Sequence, residues 1–92
     1  MQLLLADDSS TLRIVVTKII QQWGYDPIVV EDGEAAWAVM QQPDPPRLLL
    51  VDWMMPHLDG VGLCRRIRAQ QSYDPPYIIL LTSRSTISDL VQ

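Results

Sequence analysis

The chain has 92 residues, a formal net charge of −4 and 48% hydrophobic residues, which fits one small domain with a hydrophobic core. The acidic balance argues against a nucleic-acid-binding surface, because binding phosphates requires a basic stripe. The only cysteine is Cys64, which excludes an intrachain disulfide. No apolar run could span a membrane and no signal-peptide pattern is present, so we expect a cytoplasmic protein without membrane contact.

Four short apolar runs predict β-strands. The first, Leu3–Ala6, is continuously apolar, which is typical of a strand buried on both faces of a parallel sheet. Pro27 begins the second run, where its missing N–H matters least. In chain order, the predicted strands are Leu3–Ala6, Pro27–Glu31, Arg47–Asp52 and Tyr77–Leu81.

A segment with helical character follows each predicted strand. In the first, "SSTLRIVVTKIIQQWG", apolar residues recur at helical spacing, Ser9 or Ser10 can cap the start and Gly24 can end the helix. The second helical segment is "DGEAAWAVMQQ", which the prolines of "PDPP" end. The third is "DGVGLCRRIRAQQ", in which we expect Leu63, Cys64 and Ile67 to face inward. The fourth is "STISDLVQ". Alternating strands and helices predict a parallel sheet with helices on both faces.

Polar residues stand at the ends of three predicted strands. Asp7 and Asp8 follow the first, Asp52 ends the third, and Thr82 and Ser83 follow the fourth. Ligands bind at this edge of an open parallel sheet. Three carboxylates in one pocket repel each other, so the pocket takes up protons or binds a cation, and hard oxygen ligands suit Mg²⁺. The same residues could instead cap helices, but their coincidence at one end of the sheet favours a metal site.

Three stretches at this end of the sheet form a recognisable set: "ADDS", "LLLVDWMMPHLDG" and "IILLTS". The most specific feature is a D–x–x–M–P–x–x–D–G arrangement made by Asp52, Met55, Pro56, Asp59 and Gly60. Together they resemble the receiver domain of two-component response regulators. The resemblance implies a flavodoxin-like, doubly wound parallel α/β sheet with strand order 2-1-3-4, and a phosphorylation-dependent signalling switch rather than an enzyme.

The resemblance also implies a role for each site residue. Asp52 would be the phosphoacceptor, receiving a phosphoryl group from a sensor histidine kinase or a histidine phosphotransfer protein. Mg²⁺ would be bound by Asp7, Asp8, Asp52 and the backbone carbonyl of Met54. Thr82 would be the switch hydroxyl. Such a domain promotes only its own phosphorylation and dephosphorylation, and it could also pair as a homodimer.

The sequence departs from the family pattern at its C-terminal end. The family continues with a fifth strand, which ends in a lysine that contacts the phosphoryl group, and a fifth helix. The only lysine here is Lys18, in the first predicted helix, which cannot fill that role. We therefore expect residues 1–92 to be a receiver domain without its C-terminal quarter, with a bare edge on the fourth strand.

Three other functions compete with the switch. A Mg²⁺-dependent phosphatase that forms an aspartyl-phosphate would often place a second acid two residues after the nucleophile, but Met54 occupies that position. A flavodoxin-type module would need an anion cradle after the first strand, where Asp7 and Asp8 would repel a flavin phosphate. A receiver-like docking module that is not phosphorylated remains open.

Overall fold

The structure is a computed structural model that describes residues 1–70 and 75–81. The strands are β1 (Gln2–Ala6), β2 (Asp26–Val30), β3 (Leu48–Asp52) and β4 (Tyr77–Leu81). The helices between them are α1 (Ser10–Gln22), α2 (Gly33–Met40) and α3 (Gly60–Ala69). The predicted fourth helix, "STISDLVQ", and the predicted switch residue Thr82 lie outside the described residues.

The described strands form one parallel sheet with the order β2-β1-β3-β4, which confirms the predicted fold class and strand order. In this sheet β1 pairs with β2 on one side and with β3 on the other. Ala6 is opposite Val51, and Asp52 is opposite Leu81. Because parallel strands end at the same edge, the residues that follow β1 emerge beside the end of β3.

Hydrophobic clusters cover both faces of the sheet because successive strand residues point to opposite sides. On the α1 face, Leu3 and Leu5 pack with Ile20. On the opposite face, which α2 and α3 cover, the buried cluster consists of Leu4, Ala6, Ala36, Met40, Leu49, Val51, Met55, Leu63 and Ile67. The predicted inward positions of α3 are thus confirmed for Leu63 and Ile67, while Cys64 is half-buried.

The buried face of α1 is narrower than its apolar pattern suggests. Ile20 is fully buried and Val16 packs beside it. Val15, Ile19 and Trp23, which share the apolar spacing, are 48%, 38% and 69% exposed among the described residues. Apolar residues occupy much of the circumference of α1, so spacing alone does not identify the side that meets β1.

The end of α1 follows the sequence prediction. Gly24 has φ +87° and its N–H donates to the carbonyl of Gln21 at 3.0 Å. The N–H of Tyr25 donates to the carbonyl of Ile20 at 3.2 Å. These two bonds form a Schellman motif, in which glycine adopts the left-handed conformation at the lowest cost.

Candidate functional site

Three carboxylates meet at the carboxyl edge of the sheet. Asp7, Asp8 and Asp52 each offer an oxygen, and these oxygens all lie within 4.8 Å of one another. Asp7 is buried, with only 1% of its surface exposed, whereas Asp8 is exposed and Asp52 is half-buried. The structure therefore brings together the three acidic residues that the sequence places after β1 and at the end of β3.

Local hydrogen bonds fix the loop between β1 and α1. Oδ1 of Asp7 accepts the N–H of Ser9 at 2.8 Å, and the Ser9 hydroxyl caps α1 by accepting the N–H of Leu12 at 3.4 Å. The guanidinium of Arg13 donates to the backbone carbonyl of Asp7 at 2.9 Å. Since Ser9 is the cap, neither Asp7 nor Asp8 is needed for that purpose, which weakens the capping alternative.

The first residues of the loop after Asp52 bond to the end of the sheet. The N–H of Met54 donates to Oδ1 of Asp52 at 3.4 Å, while the N–H of Trp53 donates to the carbonyl of Leu81 at 3.1 Å. The side chains of Trp53 and Met54 are 49% and 66% exposed. Asp52 itself is half-buried, and its carboxylate is bonded by the backbone of the loop that follows it.

The last two residues of the sequence motif have a structural role. Asp59 caps α3 by accepting the N–H of Gly62 at 2.7 Å. A Cβ atom on Gly60 would collide with the carbonyl oxygen of Asp52 and would lie 3.1 Å from Cα of Trp53. The Asp–Gly pair therefore starts α3 in close contact with the strand that carries Asp52.

The electrostatic environment of Asp52 disfavours its ionised form. Burial raises the pKa of Asp52 above its ordinary value of 3.8, and the negative charge of Asp7 raises it further. The hydrogen bond from the Met54 N–H acts in the opposite direction and lowers this pKa. Because the net direction is upward, holding all three carboxylates ionised costs free energy, which a bound cation would offset.

The donor set fits a small hard cation. Carboxylate oxygens are ligands that Mg²⁺ prefers, and this ion usually retains several water molecules. Asp8 is exposed and Asp52 is half-buried, so water could complete the coordination. The backbone carbonyl of Met54 is predicted as a further oxygen donor, and the N–H of the same residue contacts Oδ1 of Asp52 at 3.4 Å.

Two contacts near the site have no counterpart in the sequence analysis. One is the hydrogen bond from Arg13 to the backbone of Asp7. The other joins Nδ1 of His57 to Oδ2 of Asp32 at 3.0 Å, linking the loop after Asp52 to the start of α2. No spacing signal in the sequence relates Asp32 to His57, because their contact depends on the path of the β3–α3 loop.

Among residues 1–70 and 75–81, no helix combines the length and the hydropathy that crossing a membrane would require.

Comparisons with known proteins point to one family. A family model described as the response regulator receiver domain matches residues 3–92. A chemotaxis protein CheY homolog from Campylobacter jejuni is 30% identical over 99% of this chain and 71% of the relative. The receiver domain of the Francisella response regulator 1452 has 29% identity and a TM-score of 0.78, covering 98% of this chain and 75% of that one.

A second solved structure extends the likeness to a receiver domain from a different kind of protein. It is the signal receiver domain of a signal transduction histidine kinase from Syntrophus aciditrophicus, with 26% identity and a TM-score of 0.76. The match covers 99% of this chain and 70% of that chain. The sheet described above is thus similar to receiver domains in both settings.

Proposed function

Because this chain belongs to the response regulator receiver domain family, we propose that it is a phosphorylation-dependent switch with Asp52 as its phosphoacceptor. The observation that carries this proposal is the position of Asp52 at the end of β3, with its carboxylate grouped with those of Asp7 and Asp8. Members of this family are regulators rather than classical enzymes. The chain's own chemistry is therefore confined to gaining and losing one phosphoryl group.

The donor that fits this chemistry is a phosphorylated histidine on a sensor kinase or a histidine phosphotransfer protein. One carboxylate oxygen of Asp52 attacks the phosphorus, forming an O–P bond as the P–N bond to the donor imidazole breaks. The imidazole leaves with a proton and an aspartyl-phosphate remains. Later attack by water at phosphorus releases inorganic phosphate and restores the carboxylate.

Asp7, Asp8, Asp52 and the Met54 backbone carbonyl would hold Mg²⁺. When bound, this ion supplies positive charge that offsets the repulsion between the carboxylates and an incoming phosphoryl group. Asp8 is exposed and suits direct coordination, whereas the buried Asp7 already accepts the Ser9 N–H and suits contact through water. The raised pKa of Asp52 supports this proposal, because a bound cation would stabilise the ionised form of its carboxylate.

The change that phosphorylation causes would be transmitted by Thr82. This residue directly follows Leu81, which is opposite Asp52 in the β3–β4 pairing. We propose that its hydroxyl bonds a phosphoryl oxygen, so that the added charge on Asp52 biases the segment after β4. A phosphatase is less well supported, because the general acid that such an enzyme would use is replaced by Met54.

The proposal is tested by incubating the chain with acetyl phosphate and measuring its intact mass. We expect a mass gain of one phosphoryl group that requires Mg²⁺ and is absent from the Asp52→Asn variant, which retains the size of the side chain. No mass gain in the unaltered chain, nor in a longer chain that includes the fifth strand and its lysine, would support the docking module instead. An equal gain in Asp52→Asn would place the acceptor elsewhere.

A further inference from the structure

The β3–α3 loop is attached to the first turn of α2 through the two oxygens of one carboxylate. Oδ1 of Asp32 accepts the N–H of Ala35 at 2.8 Å and so caps α2. Oδ2 of the same carboxylate accepts a hydrogen bond from Nδ1 of His57 at 3.0 Å. Asp32 therefore holds the helix with one oxygen and the loop with the other.

The loop backbone at this point has an unusual conformation. His57 has φ +68°, a region that residues other than glycine adopt infrequently, although histidine, asparagine and aspartate are enriched there. The N–H of Leu58 donates to the carbonyl of Pro56 at 2.7 Å, which closes a three-residue γ-turn around His57. Such a turn with positive φ is strained and persists only where neighbouring contacts support it.

A backbone contact supports the same turn from the α2 side. A Cβ atom on Gly33, the first residue of α2, would collide with the carbonyl oxygen of Leu58. Two consecutive loop residues, His57 and Leu58, therefore rest on two consecutive residues at the start of α2. The other end of the loop reaches the site, where the N–H of Met54 contacts Oδ1 of Asp52.

We propose that His57 and Asp32 are positioning residues for the cation site, because their hydrogen bond holds the loop in the conformation that presents the Met54 carbonyl. This inference rests on the proposed function, since it assumes that Mg²⁺ binds at the acidic cluster. Neither side chain belongs to the carboxylate cluster. Both act through the backbone between His57 and Met54.

The expected effect is a moderate loss of affinity. The side chains of His57 and Asp32 are 69% and 21% exposed, and solvent-exposed pairs contribute little individually. Without the hydrogen bond between His57 and Asp32, a smaller fraction of chains has the loop in the binding conformation. The apparent Mg²⁺ affinity falls in proportion to that fraction. We expect Mg²⁺ binding to weaken by about three- to tenfold, which is less than the roughly 10- to 100-fold effects typical of residues that bond directly to metal ligands.

The test compares Mg²⁺ affinity, measured by titration calorimetry, in three single variants and one double variant. His57→Gly removes the donor but suits positive φ, and Asp32→Ser keeps one oxygen for the α2 cap but offers no second oxygen to the loop. Each should weaken binding about fivefold, and the double variant should weaken it no further, because both remove the same bond. His57→Asn, which tolerates positive φ and retains a donor, is the control and should bind Mg²⁺ nearly as well as the unaltered chain.

Thermal unfolding of the metal-free variants separates positioning from general stability. Glycine relieves the strain at φ +68°, so His57→Gly should unfold within about 3 °C of the unaltered chain although its Mg²⁺ affinity falls. Unchanged affinity in His57→Gly, beside normal binding by the unaltered chain, would overturn the inference and leave the proposed function intact. The proposed function itself would be overturned if the unaltered chain did not bind Mg²⁺, or if Asp8→Asn bound Mg²⁺ equally well.

Discussion

Gly60 lies so close to the carbonyl oxygen of Asp52 that its backbone leaves no room for a Cβ atom. This contact joins the first residue of α3 to the end of β3, where Asp52 lies. The N–H of Gly60 also donates to the carbonyl of Trp53 at 3.0 Å. The position of α3 and the conformation of the β3–α3 loop are thus determined together.

The first prediction concerns this contact. Gly60→Ala should lower the free energy of unfolding by about 1–3 kcal/mol, because the added methyl group meets backbone atoms that cannot rotate away. Urea denaturation measures the change. Gly62→Ala is the matched control: its Cβ would lie 2.8 Å from Cδ1 of Leu58, the end of a side chain that can move. Equal losses in the two variants would contradict the account of Gly60.

A second prediction concerns the charge on Asp52. The pKa of Asp52 is raised in the folded chain, so folding favours its protonated carboxyl group. This contribution to the free energy of unfolding is fully present below the ordinary pKa of 3.8. It is lost as the pH rises through the higher pKa of the folded chain. At pH 7 without Mg²⁺, Asp52→Asn should therefore unfold at a higher temperature than the unaltered chain. The difference should disappear below pH 3.8. A destabilised Asn variant at pH 7 would contradict this direction.

The third prediction separates structural from metal-binding acids. Asp59→Ala removes the cap of α3 and should cost about 0.5–2 kcal/mol in urea denaturation, whereas Asp59→Ser should retain most of the cap. Neither change should alter Mg²⁺ affinity, because Asp59 is not part of the carboxylate cluster. A large loss of Mg²⁺ binding in Asp59→Ser would assign this residue to the metal site instead.

The fourth prediction concerns addition and removal of the metal. At a free Mg²⁺ concentration about ten times the dissociation constant, the folded chain should gain about 1.4 kcal/mol of stability through preferential binding. A chelator should reverse the gain, and Asp8→Asn should show little of it. An equal gain in Asp8→Asn would indicate that Mg²⁺ acts at another place.

A fifth prediction follows from the α2 cap. The hydrogen bond from the Ala35 N–H, followed by that from His57, lowers the pKa of Asp32 below 3.8. Asp32 therefore contributes stability above its unfolded pKa, and this contribution is lost as the pH falls through the lowered folded value. Asp32→Ala should be less stable than the unaltered chain at pH 6, and the gap should narrow on acidification below pH 3.8. A gap independent of pH would contradict the assigned cause.

The sheet and the carboxylate cluster could be predicted from the sequence, because both depend on short-range patterns. A continuous apolar run such as Leu3–Ala6 marks a strand, and the polar residue after it then falls at the carboxyl edge. The buried side of α1 was less predictable, because Val15 and Ile19 fit the helical spacing as well as Ile20 does. The bond between His57 and Asp32 depends on a loop conformation that spacing does not encode.

Locating the phosphoryl group on the chain identifies the acceptor residue. After incubation with acetyl phosphate and Mg²⁺, borohydride reduction converts an aspartyl-phosphate to homoserine, which peptide mass spectrometry assigns to a position. The account predicts homoserine at position 52 and an unmodified Asp7 and Asp8. Homoserine at either of those residues, with none at position 52, would contradict the assignment of Asp52 as the phosphoacceptor.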